Sequence, residues 1–428
     1  MEKEESNPDR KRQGRNLDAL LEVSKALASE IQLDSLLQVI VRKTTEIMEA
    51  ERSTLFLYDQ ARDELWSRTT EKLEVKEIRF PAKSGVAGDV ARTRRVANIP
   101  DAYADPRFNP QFDKLTGYRT RSILCLPIIG NHGELIGVLQ VLNKSDGGVF
   151  NTEDEALLAA FAAHAAVALE RAKMVESYVE MQRLGETLRL AHDIQMSMLP
   201  QEFPAFPGRK GFDIFARIIP AKEVGGDFYD FFFIDDDRLC FLIGDVSGKG
   251  VPAALFMAVT KTLAKAIAGS VGSPREILIR LNNELCRNND SCMFVSVFCG
   301  ILHIKSGVLM FANGGHNAPL LIQPDRGAVF LQGAEGTVLG AMDGIAFGLE
   351  TVTLKTGDSL FLYTDGVTEA MDAEERFFAE ERLEKAVGDL RDQSPRALID
   401  GVMRKLDEFV LGAPQADDIT MMAIRLDP

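Results

Sequence analysis

The chain has 428 residues, a formal charge of −15 and a hydrophobic fraction of 46%. That is long enough for two domains and a connector, with the mixed composition of a globular protein. The acidity argues against nucleic-acid binding. No apolar run is long enough to span a bilayer and no secretory leader opens the chain, so a cytoplasmic protein without a membrane partner is expected.

The first 16 residues are polar and charged and read as a frayed tail. Apolar residues at helical spacing predict a helix over Leu17 to Met48. Short strands are expected at Ser53 to Tyr58, Glu64 to Thr69, Lys76 to Phe80 and Val96 to Ile99, with a short helix at Gly85 to Arg92. Asp101 to Gly117 reads as a loop. Ser122 to Ile129 and Glu134 to Leu142 flank Gly130-Asn131-His132-Gly133 and predict a hairpin.

A helix then starts at Thr152, read as its N-cap with Glu155 completing a capping box, and runs to Met198 without a proline. Its stripe of Met174, Tyr178, Met181, Leu184, Leu188, Ala191, Ile194 and Met198 steps by three and four residues, the pattern of a coiled coil. Three prolines between Pro200 and Pro207 end it. From Gly211 onward strands and helices alternate, with helices at Val251 to Ser270, Pro274 to Asn288, Glu380 to Leu390 and Pro395 to Phe409. The five cysteines, Cys125, Cys240, Cys286, Cys292 and Cys299, are odd in number and lack zinc-site spacing, so reduced core thiols are expected.

Four aspartates at the ends of apolar runs carry the chemistry. Asp245 and Asp365 lie at the close of Leu239 to Ile243 and Leu360 to Tyr363. Asp227 and Asp417 precede Phe231 to Ile234 and Ile419 to Ile424. In an antiparallel sheet the start of one strand lies beside the end of its neighbour, so all four can meet at one edge. Such a cluster repels itself unless cations fill it, and oxygen donors without His or Cys favour Mg²⁺ or Mn²⁺. That combination suits attack of a metal-activated water on a phosphate ester.

The blocks IQMSMLP (194–200), PAKEVGGDFYD (220–230), IGDVSGKGVPAALFMA (243–258), ANGGHNAPLL (312–321), GDSLFLYTDGVTEA (357–370) and DDITMMAIR (417–425) resemble those of the PPM metal-dependent Ser/Thr phosphatases. The branch is that of stage II sporulation protein E and RsbU. The resemblance implies an α/β/β/α sandwich with two Mn²⁺ or Mg²⁺ ions. It implies that Asp227, Asp245, Asp365 and Asp417 are catalytic through those ions, with Asp245 bridging both, the Val246 carbonyl assisting Asp227, and Asp418 as the alternative to Asp417. Asp230 reads as a site residue or a strand-edge charge, and Lys249 as a phosphoprotein contact or a solvated lysine. Asn313, His316 and Asn317 form a polar block with a structural or catalytic role. Ser247 stands where larger relatives place a His, which leaves the general acid open, water being one source of the proton. The implied substrate is a phosphorylated STAS-type anti-sigma-factor antagonist.

Leu17 to Met174 resembles a GAF domain, and Asn143-Lys144, Phe150 and Asp154-Glu155 match the pattern carried by GAF domains of cyclic-nucleotide phosphodiesterases. The resemblance implies a sensor that takes cyclic AMP or cyclic GMP through those five residues, takes another small ligand, or serves only to dimerise. In purely physical terms the same residues end a strand and open a helix. The resulting expectation is an α+β chain: tail 1–16, GAF sensor 17–170, coiled-coil linker 171–199 and phosphatase 200–428, forming a homodimer. A docking protein without catalysis would be marked by loss of a metal-site Asp, and all four are present. A phosphodiesterase would need a His/Asp cluster that the chain lacks.

Overall fold

The computed structural model describes residues 21–67, 78–287 and 289–427, apart from 23 and 28. The expected N-terminal tail lies outside them. Two compact units emerge, Met1–Leu184 and Gly185–Pro428.

In the first unit α1 (Leu33–Ile47) packs Leu36, Leu37, Ile40, Val41 and Thr44 against a sheet. The single helix expected over Leu17 to Met48 is interrupted: Glu30 and Ile31 are non-helical, and the Gln32 carbonyl accepts the first bond of a new helix from Leu36 N–H. The strands are β1 (Ala50–Asp59), β2 (Glu64–Ser67), β3 (Ile78–Pro81), β4 (Ala97–Ile99), β5 (Ile123–Ile129) and β6 (Leu135–Lys144), in the antiparallel order β3-β2-β1-β6-β5-β4. Between them lie α2 (Gly85–Thr93) and, inside the expected loop, α3 (Gln111–Thr116). Trp66, the sole tryptophan, sits on β2 opposite Leu57, with the Arg79 guanidinium 5.6 Å from its ring.

Helix α4 spans Thr152–Met198. Its first part lays Leu158, Phe161, Ala162, Ala165, Leu169 and Ala172 on the GAF-side core, a one-face stripe. Asn151, not Thr152, caps it: Asn151 Oδ1 accepts from the N–H groups of Glu153 and Asp154 at 2.9 and 3.0 Å, and Asp154 Oδ2 accepts from Asn151 N–H at 2.9 Å. An amide side chain can accept these bonds as well as a hydroxyl can, and here it is one residue earlier.

The second unit stacks two five-stranded sheets. One orders β14 (Glu350–Thr353), β11 (Val308–Gly314), β10 (Val295–His303), β9 (Arg238–Val246) and β8 (Phe228–Phe233). The other orders β13 (Gly327–Phe330), β12 (Leu320–Gln323), β15 (Ser359–Tyr363), β16 (Ile419–Leu426) and β7 (Phe212–Ile219). The inner faces share one core, in which Phe241 and Phe298 meet Leu360 and Met422. Helices α5 (Val251–Ala268) and α6 (Pro274–Cys286) cover the first sheet. The short α7 (Asp365–Thr368) follows β15, and α8 (Ala379–Asp389) with α9 (Pro395–Val410) covers the second sheet. This is the expected α/β/β/α sandwich. Cys125, Cys240 and Cys299 are buried free thiols. One described helix, α5, is long and apolar enough to cross a membrane by composition, contrary to the sequence expectation; its Ala253, Met257, Ala264 and Ala268 are buried on the sandwich core.

Candidate metal centre and GAF cavity

Antiparallel pairing brings the four aspartates to one end of the sandwich. Phe228 pairs with Gly244, so Asp227 and Asp245 are neighbours, and Tyr363 pairs with Met421, which sets Asp365 near the start of β16. Glycine permits the crowding. A Cβ at position 226 would stand 2.7 Å from the Val246 carbonyl oxygen, so glycine keeps that oxygen approachable.

The cluster penalises its own charge. Burial, then the Asp245 carboxylate, holds Asp227 well above the usual carboxylate range. Burial and Asp365 push Asp245 up to about 7. Asp365 is raised by burial and by Glu369. The hydroxyls of Thr420 and Thr364 donate to Asp227 Oδ2 at 2.6 and 2.7 Å and fix its orientation.

Asp418 is used differently from what the sequence suggested for a metal ligand. Its Oδ1 accepts from Ala221 N–H and its Oδ2 from Gly226 N–H, both at 2.8 Å. Both oxygens therefore brace the loop ahead of Asp227. Asp417 turns the other way, to Lys249 Nζ at 2.9 Å. Among the described residues no three carboxylates already converge on one point. Even so, buried carboxylates with raised proton affinity, an approachable carbonyl and no His or Cys donor form a set that fits hard divalent cations.

Residues 235–427 match the family model of stage II sporulation protein E, and residues 32–169 match that of the GAF domain. The chain joins a GAF domain to a SpoIIE-family phosphatase domain. Protein IcfG of Synechocystis is 30% identical over 265 residues, which are 55% of this chain and 41% of that protein. The dual 3',5'-cyclic-AMP and -GMP phosphodiesterase 11 of Drosophila melanogaster is 34% identical over 194 residues, 41% of this chain and 13% of that protein. The chain thus spans less than half the length of these curated relatives. The SiaA-PP2C domain of Pseudomonas aeruginosa shares the fold, with a TM-score of 0.51 and 24% identity over 58% of this chain and 99% of that one.

Within the SpoIIE-family domain several polar residues support the cluster from behind. His316 Nδ1 lies 2.7 Å from Ser296 Oγ, and its Nε2 lies 3.1 Å from the Tyr363 carbonyl. Ser296 pairs with Asp245 across β9 and β10, so the ring ties one sheet to the other two residues before Asp365. Burial pushes this imidazole down to about 4, keeping it neutral. Asn313 exchanges two hydrogen bonds with the His316 backbone. Ser247 Oγ accepts from Phe294 N–H, a structural bond. Asp230 is buried in an ion pair with Lys261 at 2.7 Å that joins β8 to α5.

Sequence reasoning missed Gln195. Near the end of α4, its side chain donates to the Gly225 carbonyl at 2.7 Å and accepts from Gly225 N–H at 3.2 Å. It is buried, and a polar residue among the apolar positions of the IQMSMLP block was the available signal.

In the GAF domain a cavity of about 380 Å³ opens between the sheet and α2, lined by Phe56, Phe80, Val86, Phe108 and Leu142 with Arg52 and Gln140 among the polar groups. None of the five residues expected to hold a ligand lines it. Lys144 and Asp154 form a buried ion pair at 2.9 Å. Asn143, at φ +53°, accepts from the N–H groups of Arg121 and Ser122 and donates to Glu51 and to Tyr118 Oη. Glu155 accepts from Asn98, and Phe150 is core. Their polar groups face protein partners. Tyr118, which does line the cavity, is held in place by Asn143.

Proposed function

We propose that the chain is a Mn²⁺- or Mg²⁺-dependent protein serine/threonine phosphatase whose activity is set by its GAF domain. The observation that carries this reading is the gathering of buried Asp227, Asp245 and Asp365 at one end of a SpoIIE-family sandwich, with Asp417 beside them on Lys249. Bound divalent ions would neutralise the phosphate oxygens and lower the pKa of the attacking water. The chain's own part is to hold the donors still. Asp227 is oriented by Thr364 and Thr420, the loop before it by Asp418, and the two sheets by His316. The substrate is a phosphorylated STAS-type anti-sigma-factor antagonist, by the resemblance of the six sequence blocks to SpoIIE and RsbU.

Met174, Tyr178, Met181, Leu184 and Ile194 remain exposed along α4, an apolar stripe that supports a homodimeric coiled coil. Near the end of this helix Gln195 binds Gly225, one residue from the glycine beside Val246. A change in helix packing would thereby reach the metal site. The GAF cavity has the size of a small-molecule site, and cyclic AMP and cyclic GMP are the first ligands to test.

The test is Mn²⁺-dependent phosphate release from a phosphoserine STAS protein, with Asp245→Asn alongside. Release lost in the variant supports the enzyme. No release from a folded dimer at saturating Mn²⁺, with or without cyclic nucleotide, sinks it in favour of a docking role. Leu188→Pro should remove any ligand response; a response that survives rules out the helical relay.

A further inference from the structure

Lys249 stands between Gly248 and Gly250, whose φ values are +85° and +79°. Neither glycine is needed for space, because a Cβ at either position meets nothing within 4 Å. They are required for backbone direction alone. That direction carries Lys249 to a loop 168 residues further along the chain. Its ammonium donates to Asp417 Oδ2 at 2.9 Å and to the Ala416 carbonyl at 2.8 Å. Asp417 Oδ1 already accepts from Asp418 N–H at 2.9 Å. Gln415 fixes the same loop, donating to the Ile219 and Asp417 carbonyls at 2.8 and 2.7 Å. Lys249 thus engages Asp417 Oδ2, while Oδ1 is engaged by its own loop.

We propose that Lys249 is a displaceable counter-ion that occupies Asp417 Oδ2 at the edge of the carboxylate cluster until a divalent cation takes that oxygen from it. The inference rests on the metal-dependent reading above. The pair is suited to exchange, since its side chains are 43% and 38% exposed. Exposed pairs of this kind contribute little, so a doubly charged ion shared with Asp245 and Asp365 outcompetes the ammonium. Without a cation, the same pair offsets part of the charge that Asp417 adds to the repulsion felt by Asp245 and Asp365. Lys249 thereby sets the cation concentration at which the site closes.

The test uses the full chain and MnCl₂ alone. Lysines are pulse-acylated with and without Mn²⁺ and the Lys249 peptide is read by mass spectrometry, with Lys261, buried against Asp230, as the internal reference. Lys249 acylation should rise several-fold on Mn²⁺ binding while Lys261 stays constant. By calorimetry, Lys249→Gln should bind Mn²⁺ about two- to five-fold more tightly, the scale of an exposed pair. Mn²⁺ binding that leaves Lys249 acylation unchanged or lower overturns the proposal and leaves the metal reading intact. So does a Lys249→Gln protein whose Mn²⁺ affinity is equal or weaker. Failure of the wild-type chain to bind Mn²⁺ at all overturns both. The acylation arm needs only wild-type protein.

Discussion

The two domains each carry a pair of acidic motifs, and they use them in opposite ways. In the GAF domain Asp154 is matched by Lys144 and by the Asn151 backbone, and Glu155 by Asn98. In the phosphatase domain Asp227 and Asp245 lie side by side, buried, with hydroxyl groups and each other for company. Satisfied carboxylates fasten a strand to a helix. Carboxylates left to repel one another are poised for a cation. The presence or absence of a cationic partner separates a clasp from a reactive site.

The contrast can be broken most severely at Asp245. Asp245→Asn should lower Mn²⁺-dependent phosphate release on the order of a thousand-fold, the scale of removing a preorganised electrostatic group. It should also raise the thermal midpoint in chelator, because it removes a charge that burial and Asp365 disfavour. A lower midpoint there would contradict the account of the cluster. Lys144→Ala tests the other side. Stripping the partner from buried Asp154 should cost the GAF domain about 3 kcal/mol in urea unfolding. A change near zero would show that the clasp is ornamental.

His316 offers a pH test. The folded ring titrates near 4 against 6.5 for the free group, so unfolding takes up a proton between those values and stability falls as pH drops through them. From pH 7 to 5 this amounts to roughly 2 kcal/mol. His316→Gln should remove that part of the slope; identical wild-type and variant slopes would refute it. The smallest effect belongs to the helix cap. Asn151→Ala should cost about 1 kcal/mol, and Asn151→Asp should restore most of it.

Much of this was legible. Asp245 and Asp365 close apolar runs, and antiparallel pairing then sets Asp227 and the start of β16 beside them. What stayed hidden was direction. Two adjacent aspartates, Asp417 and Asp418, read alike, yet one faces Lys249 and the other grips the backbone ahead of Asp227. Contacts across nearly the whole domain leave no local trace, so neither role could be derived from neighbours. The internal partners of Asn143, Lys144 and Asp154 were hidden for a related reason, since polar residues near a cavity can hold its wall without lining it. Glu350–Thr353 and Gly327–Phe330 are short edge strands with exposed positions and lack the clean alternation that marks a strand in sequence.

Trp66 gives the chain an unequal optical signature. Indole emission originates wholly in the GAF domain, from one partly buried ring stacked beneath Arg79. Fluorescence excited at tryptophan is blind to the phosphatase sandwich, while circular dichroism sums both. A gap between the two melting profiles would therefore resolve the domains within an intact, unlabelled chain.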